Sequence, residues 1–146
     1  MAEDTYTKPM PRINRLSRPY WEGAKRHELL LQRCLACTRH RFPPSERCPT
    51  CLGTDSEWVR ASGRGKVWSW IRMWQAYYPA FAADRPYIVA FVELDEGPRL
   101  MSTIVDCSPE EIACEMALEV VFDDVTDEVT LPKFRLIRAG TLSSSA

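Results

Sequence analysis

Histidine is scarce in this chain: His27 and His40 are its only two among 146 residues. Both precede the second half, so Cys107 and Cys114 have no histidine near them in sequence. A thiol nucleophile needs a base beside it, and none is on offer. Those two cysteines read as small buried or half-buried thiols, and no catalytic residue is assigned. Long apolar runs are also missing. Without eighteen consecutive apolar residues there is no membrane-spanning helix. The opening Met1-Ala2-Glu3-Asp4-Thr5 is polar and lacks an apolar signal core, so a cytoplasmic protein with reduced cysteines is expected. Net charge is nearly absent too, at −1.

That average hides a division. Residues 1–66 hold thirteen Lys or Arg against seven acids, and residues 67–146 hold six against thirteen. Two modules with solvated surfaces of opposite sign would give this pattern. So would an anionic ligand or partner meeting the basic half. Hydrophobic residues make up 45 % of the chain, with five each of Trp, Tyr and Phe, enough for a real core.

The most informative residues present are four cysteines, Cys34-x2-Cys37 and Cys48-x2-Cys51. Two such pairs place four thiolates where a tetrahedral ion wants them, and sulfur-only coordination at this spacing points to one zinc. Two disulfides or a rubredoxin-type iron site are the alternatives, and the lack of secretory marks argues against the disulfides. Such a shell has no open position for water or substrate, so it builds structure and does not catalyse. Arg33, Arg39, Arg41 and Arg47 crowd the ligands, where guanidinium charge would offset a four-thiolate centre. His40 reads as an outer neighbour or a solvated residue. Gly53, just past the last ligand, is expected to supply a positive φ.

Residues 1–16 read as a flexible arm that is disordered or ordered by a partner. Ser17 and Pro19 open a short helix whose Tyr20, Trp21 and Ala24 share a face. With the ribbon, that helix makes a unit over 17–61. Five strands follow over 62–138: Lys66 to Trp74, Tyr87 to Leu94, Arg99 to Val105, Leu118 to Asp123 and Glu128 to Ile137. Ile88, Ala90, Val92 and Leu94 face inward in the second, and Leu118, Val120 and Phe122 do so in the fourth. Asp95-Glu96-Gly97-Pro98 forms a tight hairpin, and Ser108-Pro109-Glu110-Glu111 a capped helical turn. This pattern matches a five-stranded OB-type barrel with its own core, and 139–146 reads as a flexible tail.

The order of helix, ribbon, glycine-rich joint and barrel resembles the zinc-ribbon/OB-fold proteins that accompany thiolase-like and other acyl-CoA-processing enzymes. The matching stretches are Pro19-Tyr20-Trp21, Leu31-Gln32-Arg33-Cys34, Arg41-Phe42-Pro43-Pro44, Cys48-Pro49-x-Cys51, Gly63-x-Gly65-x-Val67, Pro86-Tyr87-x-Val89-Ala90 and Val92 to Gly97. One departure stands out: Glu115-Met116-Ala117-Leu118 replaces the family's Gly-Met-Pro-Val, so this turn is expected to be built differently. The resemblance implies a non-catalytic subunit of a heterotetramer or larger complex. It would brace a thiolase, a lipid-transfer-type retro-aldolase, a hydroxymethylglutaryl-CoA-type synthase or a hot-dog hydratase and help shape the acyl-CoA channel, with the coenzyme A thioester shared between partners.

The expected partner surface is the aromatic segment with Trp74, Tyr77, Tyr78 and Phe81, together with Tyr20 and Trp21 of the helix. The alternative for the segment is a lid over the barrel. Arg33, Arg39, Arg41 and Arg64 would face the anionic end of coenzyme A or an acidic partner patch. A ribbon beside an OB barrel also describes nucleic-acid-binding modules, but the barrel half is acidic, against the basic groove such binding needs.

Overall fold

The structure is a computed structural model that describes residues 6–138. The expected tail and the first five residues of the expected arm lie outside the described residues. Residues 6–14 run without regular structure but not without contacts. Lys8 pairs with Asp84 at 2.7 Å, and its ammonium lies 5.6 Å from the centroid of Phe81. The chain's own aromatic segment therefore holds the arm.

Helix α1 spans Arg18–Lys25 with Pro19 in its first turn. Ser17 does not cap it. Instead Ser17 and Asn14 bond each other, Ser17 N–H to Asn14 Oδ1 at 2.9 Å and Asn14 N–H to Ser17 Oγ at 3.1 Å. At the other end His27 adopts φ 61, so that Glu28 N–H reaches Gly23 O at 2.8 Å and His27 N–H reaches Ala24 O at 2.9 Å. This left-handed stop satisfies the last carbonyls and turns the chain into the ribbon. The His27 ring then stacks on Phe122 at 5.1 Å, and its Nε2 meets the Asp124 carboxylate at 3.1 Å.

The ribbon is a three-stranded antiparallel sheet in the order β2-β1-β3, with β1 Leu30–Cys34, β2 His40–Arg41 and β3 Ser56–Arg60. The barrel is a second sheet of β4 Arg64–Met73, β5 Tyr87–Leu94, β6 Arg99–Ser102, β7 Ile104–Val105, β8 Ala117–Asp124 and β9 Thr130–Leu136. Its order is β6-β5-β4-β8-β9-β7. The strand expected from Arg99 to Val105 breaks at Thr103. Its first half pairs with β5, and its second half pairs in parallel with β9, where Thr103 O accepts Phe134 N–H at 3.1 Å. One strand serving both ends of the sheet has to bend, and that bend joins the sheet's ends into an OB-like barrel.

Tight approaches demand small residues. Gly63 sits at φ 78, and a Cβ there would meet a Val120 methyl at 2.6 Å; a Cβ on Gly65 would run into Glu93 O. Gly97 at φ 115 closes the expected hairpin, with Leu94 N–H bonded to Pro98 O at 2.9 Å. The Ser108 turn is capped as expected, Ser108 N–H reaching the Glu111 carboxylate at 2.7 Å. The turn before β8 is left-handed at a non-glycine residue: Glu115 stands at φ 74, its N–H bonds Val67 O at 2.7 Å, and its carboxylate pairs with Lys66 at 2.8 Å.

The core corrects the expectation of a barrel with its own. Tyr20, Leu29, Leu31 and Ala61 belong to the same buried cluster as Val67, Ala90, Val92, Leu118 and Phe134. The inward set Ile88, Ala90, Val92 and Leu94 is buried as read, whereas on β8 only Leu118 is fully buried, Val120 and Phe122 being half-buried. No helix of the described residues is long and apolar enough to cross a membrane.

Candidate metal centre

Both cysteine pairs sit on knuckles built by one hydrogen-bond pattern repeated fourteen residues apart. Thr38 N–H bonds Cys34 O, and Leu52 N–H bonds Cys48 O, each at 2.9 Å; Cys34 N–H bonds Arg39 O, and Cys48 N–H bonds Gly53 O, again at 2.9 Å. The residue just after each pair must turn left-handed to close the loop. Thr38 does so at φ 67 and Leu52 at φ 64. The positive φ expected at Gly53 therefore falls one residue earlier. Gly53 answers a different need: a Cβ there would lie 3.3 Å from Cys51 Sγ and 3.8 Å from Cys34 Sγ. It leaves room for the sulfurs.

The four Sγ atoms all lie within 4.8 Å of one another, with Cys34–Cys51 and Cys37–Cys48 at 3.6 Å. A tetrahedron of ~2.3 Å zinc–sulfur bonds has edges of about 3.8 Å, so the donor set fits zinc in size and in chemistry. All four are free thiols rather than disulfides. The amides of Cys51 and Thr50 pull Cys48 down to about 6, and those of Cys37 and Ala36 lower Cys34. The Arg39 amide also acts to lower Cys37, but burial and the neighbouring thiols outweigh it and hold this thiol at about 11. Four crowded sulfurs cannot all ionise unaided, and a divalent cation resolves that conflict. Zinc bound there would be structural, with Cys34, Cys37, Cys48 and Cys51 as its ligands.

The arginines do not act as one group. Arg33 pairs with Glu57 at 2.8 Å, and Arg47 donates to Leu52 O at 3.3 Å on the second knuckle. Arg41, expected on a ligand-facing surface, is buried. Its Nε donates to Gln32 Oε1 at 3.1 Å and its Nη2 to Ser45 O at 2.9 Å, while Nη1 has no partner. A buried guanidinium with no carboxylate partner among the described residues is costly. Arg39 and His40 line a cleft of about 480 Å³ against Glu96, Gly97 and Pro98 of the β5–β6 hairpin. Arg64 stays half-buried at the joint, its carbonyl accepting Asp95 N–H at 2.9 Å.

Of the expected partner surface, Trp74, Tyr77 and Tyr78 are 65 %, 69 % and 58 % exposed, so they do not lie over the barrel as a lid. Phe81 is half-buried between Tyr78 and Tyr87. Tyr20 is the correction: it is buried in the core against Trp21 and Phe42, and burial raises its phenol. A helix this short needs a dock, and the chain supplies it. Trp21 is half-buried beside Tyr20. Cys107 is half-buried as read, its thiol pushed up by burial and by Glu111; Cys114 is exposed, contrary to the reading. The sequence reading missed Trp68, Phe91 and Met101, exposed on the outer face of the barrel.

Residues 21–57 match the family described as "ChsH2, rubredoxin-like zinc ribbon domain", and residues 58–123 match "ChsH2, C-terminal OB-fold domain". The "Probable enoyl-CoA hydratase alpha subunit" of Thermomonospora curvata is 42 % identical over 130 residues, 88 % of this chain and 40 % of that protein. The chain thus spans less than half the length of that relative. A "DUF35 domain-containing scaffold protein" of Methanocaldococcus jannaschii is 36 % identical over 110 residues, 74 % of this chain and 77 % of its own length. Among solved structures, the "Ltp2-ChsH2(DUF35) aldolase" superposes with a TM-score of 0.78 at 40 % identity, covering 87 % of this chain and 98 % of that one. With the ribbon, the barrel and the cysteine cluster all matched in order, the chain belongs to the DUF35 family of rubredoxin-like zinc-ribbon and OB-fold proteins.

Proposed function

We propose that this chain is a non-catalytic subunit that binds a thiolase-like acyl-CoA enzyme, a thiolase or a lipid-transfer-type retro-aldolase, bracing it and helping shape its acyl-CoA channel. The observation that carries this reading is a pairing of two facts. The four-cysteine cluster offers four thiols and no further ligand group, and Trp74, Tyr77 and Tyr78 remain mostly exposed among the described residues. Exposed aromatics clustered on a loop are what protein interfaces use. Support comes also from relatives named as a hydratase subunit, a scaffold protein and an aldolase. Arg39 and Arg64, without side-chain partners among the described residues, are the two of the four best placed to meet an anionic ligand or partner; Arg33 is already paired, and Arg41 is enclosed. A hot-dog hydratase is a further candidate partner, in a heterotetramer or larger.

The test is reconstitution. The purified chain alone turns over no acyl-CoA by thiolysis, aldol cleavage or hydration. Mixed with a thiolase-fold aldolase it co-elutes, and Trp74→Ala with Tyr77→Ala weakens that co-elution by about 10-fold or more. Cys107→Ala and Cys114→Ala leave the complex's activity within a few-fold of wild type. A loss of about a hundredfold, roughly 2.7 kcal/mol of barrier, would reopen a catalytic reading.

A further inference from the structure

The outward face of β4, β5 and β6 is apolar, although on the other side of the same strands Val67, Ala90, Val92 and Leu100 already fill the core. Trp68 sits at the bulge between Val67 and Ser69, and its ring meets Phe91 edge-on at 6.0 Å. Met101 lies directly across from Phe91 on the neighbouring strand. Trp68, Ile71 and Met101 are 43 %, 53 % and 59 % exposed. The band does not stop at the sheet. Met73 pairs with Tyr87, whose ring lies 5.2 Å from Phe81, and through Phe81 the face runs into the aromatic loop. A face this apolar, joined to a loop this exposed, is far from the norm for solvent.

Charge decides what covers it. In OB barrels this face and this first loop are where oligonucleotides lie, held by free cations beside stacking rings. Here the cations of the strands themselves are already neutralised, while Arg85 at the foot of the loop donates only to Ala82 O at 3.0 Å. Lys66 pairs with Glu115 and Glu93, Arg72 with Glu110, and Arg99 with Glu93 while its guanidinium lies 3.9 Å from the Trp68 ring centroid. A phosphate backbone would find no unpaired cation among these, whereas an uncharged protein surface would find a matching one.

We propose that the outer face of β4–β6 and the aromatic loop form one continuous docking surface for the thiolase-fold enzyme subunit. This rests on the function proposed above and adds the sheet face to it. The face takes the place that the buried Tyr20 cannot fill.

The probe is the aldolase partner chain of the solved Ltp2-ChsH2(DUF35) aldolase, titrated against this chain by interferometry. Ile71→Lys with Met101→Lys, both at exposed positions, should weaken binding about 100-fold or more, because two unpaired ammonium groups would be buried. Their melting temperature should stay within a few degrees of wild type. Glu128→Lys, on the β8–β9 turn, serves as the control and should change binding less than about 3-fold. If wild type binds and the double variant binds equally, the face is wrong while the proposed function stands. If wild type does not bind at all, both fall. Two other outcomes also overturn the proposal: a dimer in sedimentation that the double variant splits, or a twenty-residue oligo-dT bound by wild type and lost in the variant.

Discussion

Thr38 and Leu52 hold a backbone conformation that costs an L side chain on the order of 1 kcal/mol, because the knuckle hydrogen bonds leave no other path. Leu52 is 65 % exposed, so its side chain contributes little packing in return. Leu52→Gly should therefore stabilise the folded chain by about 0.5–1 kcal/mol, read from the urea midpoint; a lower midpoint would show that the side chain is needed. Asp124 is a second residue set by its surroundings. The Thr130 hydroxyl and then the His27 imidazole hold its carboxyl below the ordinary value of 3.8. A depressed acid stabilises the fold above that ordinary value and loses the contribution as pH falls through the lower folded value. Asp124→Asn should thus melt below wild type at pH 7, and the gap should close in acid. A gap that widens as the pH drops would contradict the assignment.

At the scale of elements, close approach and pairing decide more than propensity does. β4 and β5 come so near at Gly65 that any Cβ meets Glu93 O, which is backbone and cannot swing away. Gly65→Ala should cost about 2–3 kcal/mol in the same denaturation assay, and a cost under ~0.5 kcal/mol would mean that the strands can part freely. The knuckle spacing, the β5 alternation, the hairpin at Gly97 and the Ser108 turn were legible because each is written within a few neighbouring residues. The break at Thr103 was not. Nothing in Arg99 to Val105 marks it, because it exists only to satisfy two partners at opposite ends of the sheet.

For the whole molecule, one buried cluster runs through ribbon and barrel, so the two should unfold together. Zinc in a four-cysteine site contributes on the order of 10 kcal/mol to folding. The purified chain should carry one zinc, and Cys48→Ser should lower the melting temperature of the entire chain in one transition, followed by far-UV and tryptophan signals together. A barrel that melts separately, or protein purified under reducing conditions without metal, would refute the respective half of this expectation.

The four-cysteine cluster, the ribbon-then-barrel order and most strands could be read along the chain. Each of these depends on residue type and on spacing along a short stretch. Tertiary structure decided which apolar residues were already accounted for. Tyr20 and Arg41 read as surface residues and lie inside, since the barrel and the Ser45 loop come to cover them. Trp68, Phe91 and Met101 read as ordinary strand residues and form a surface, since only the register of three strands places them side by side. Alternation along a strand tells which side a residue takes; it cannot tell what lies across from it.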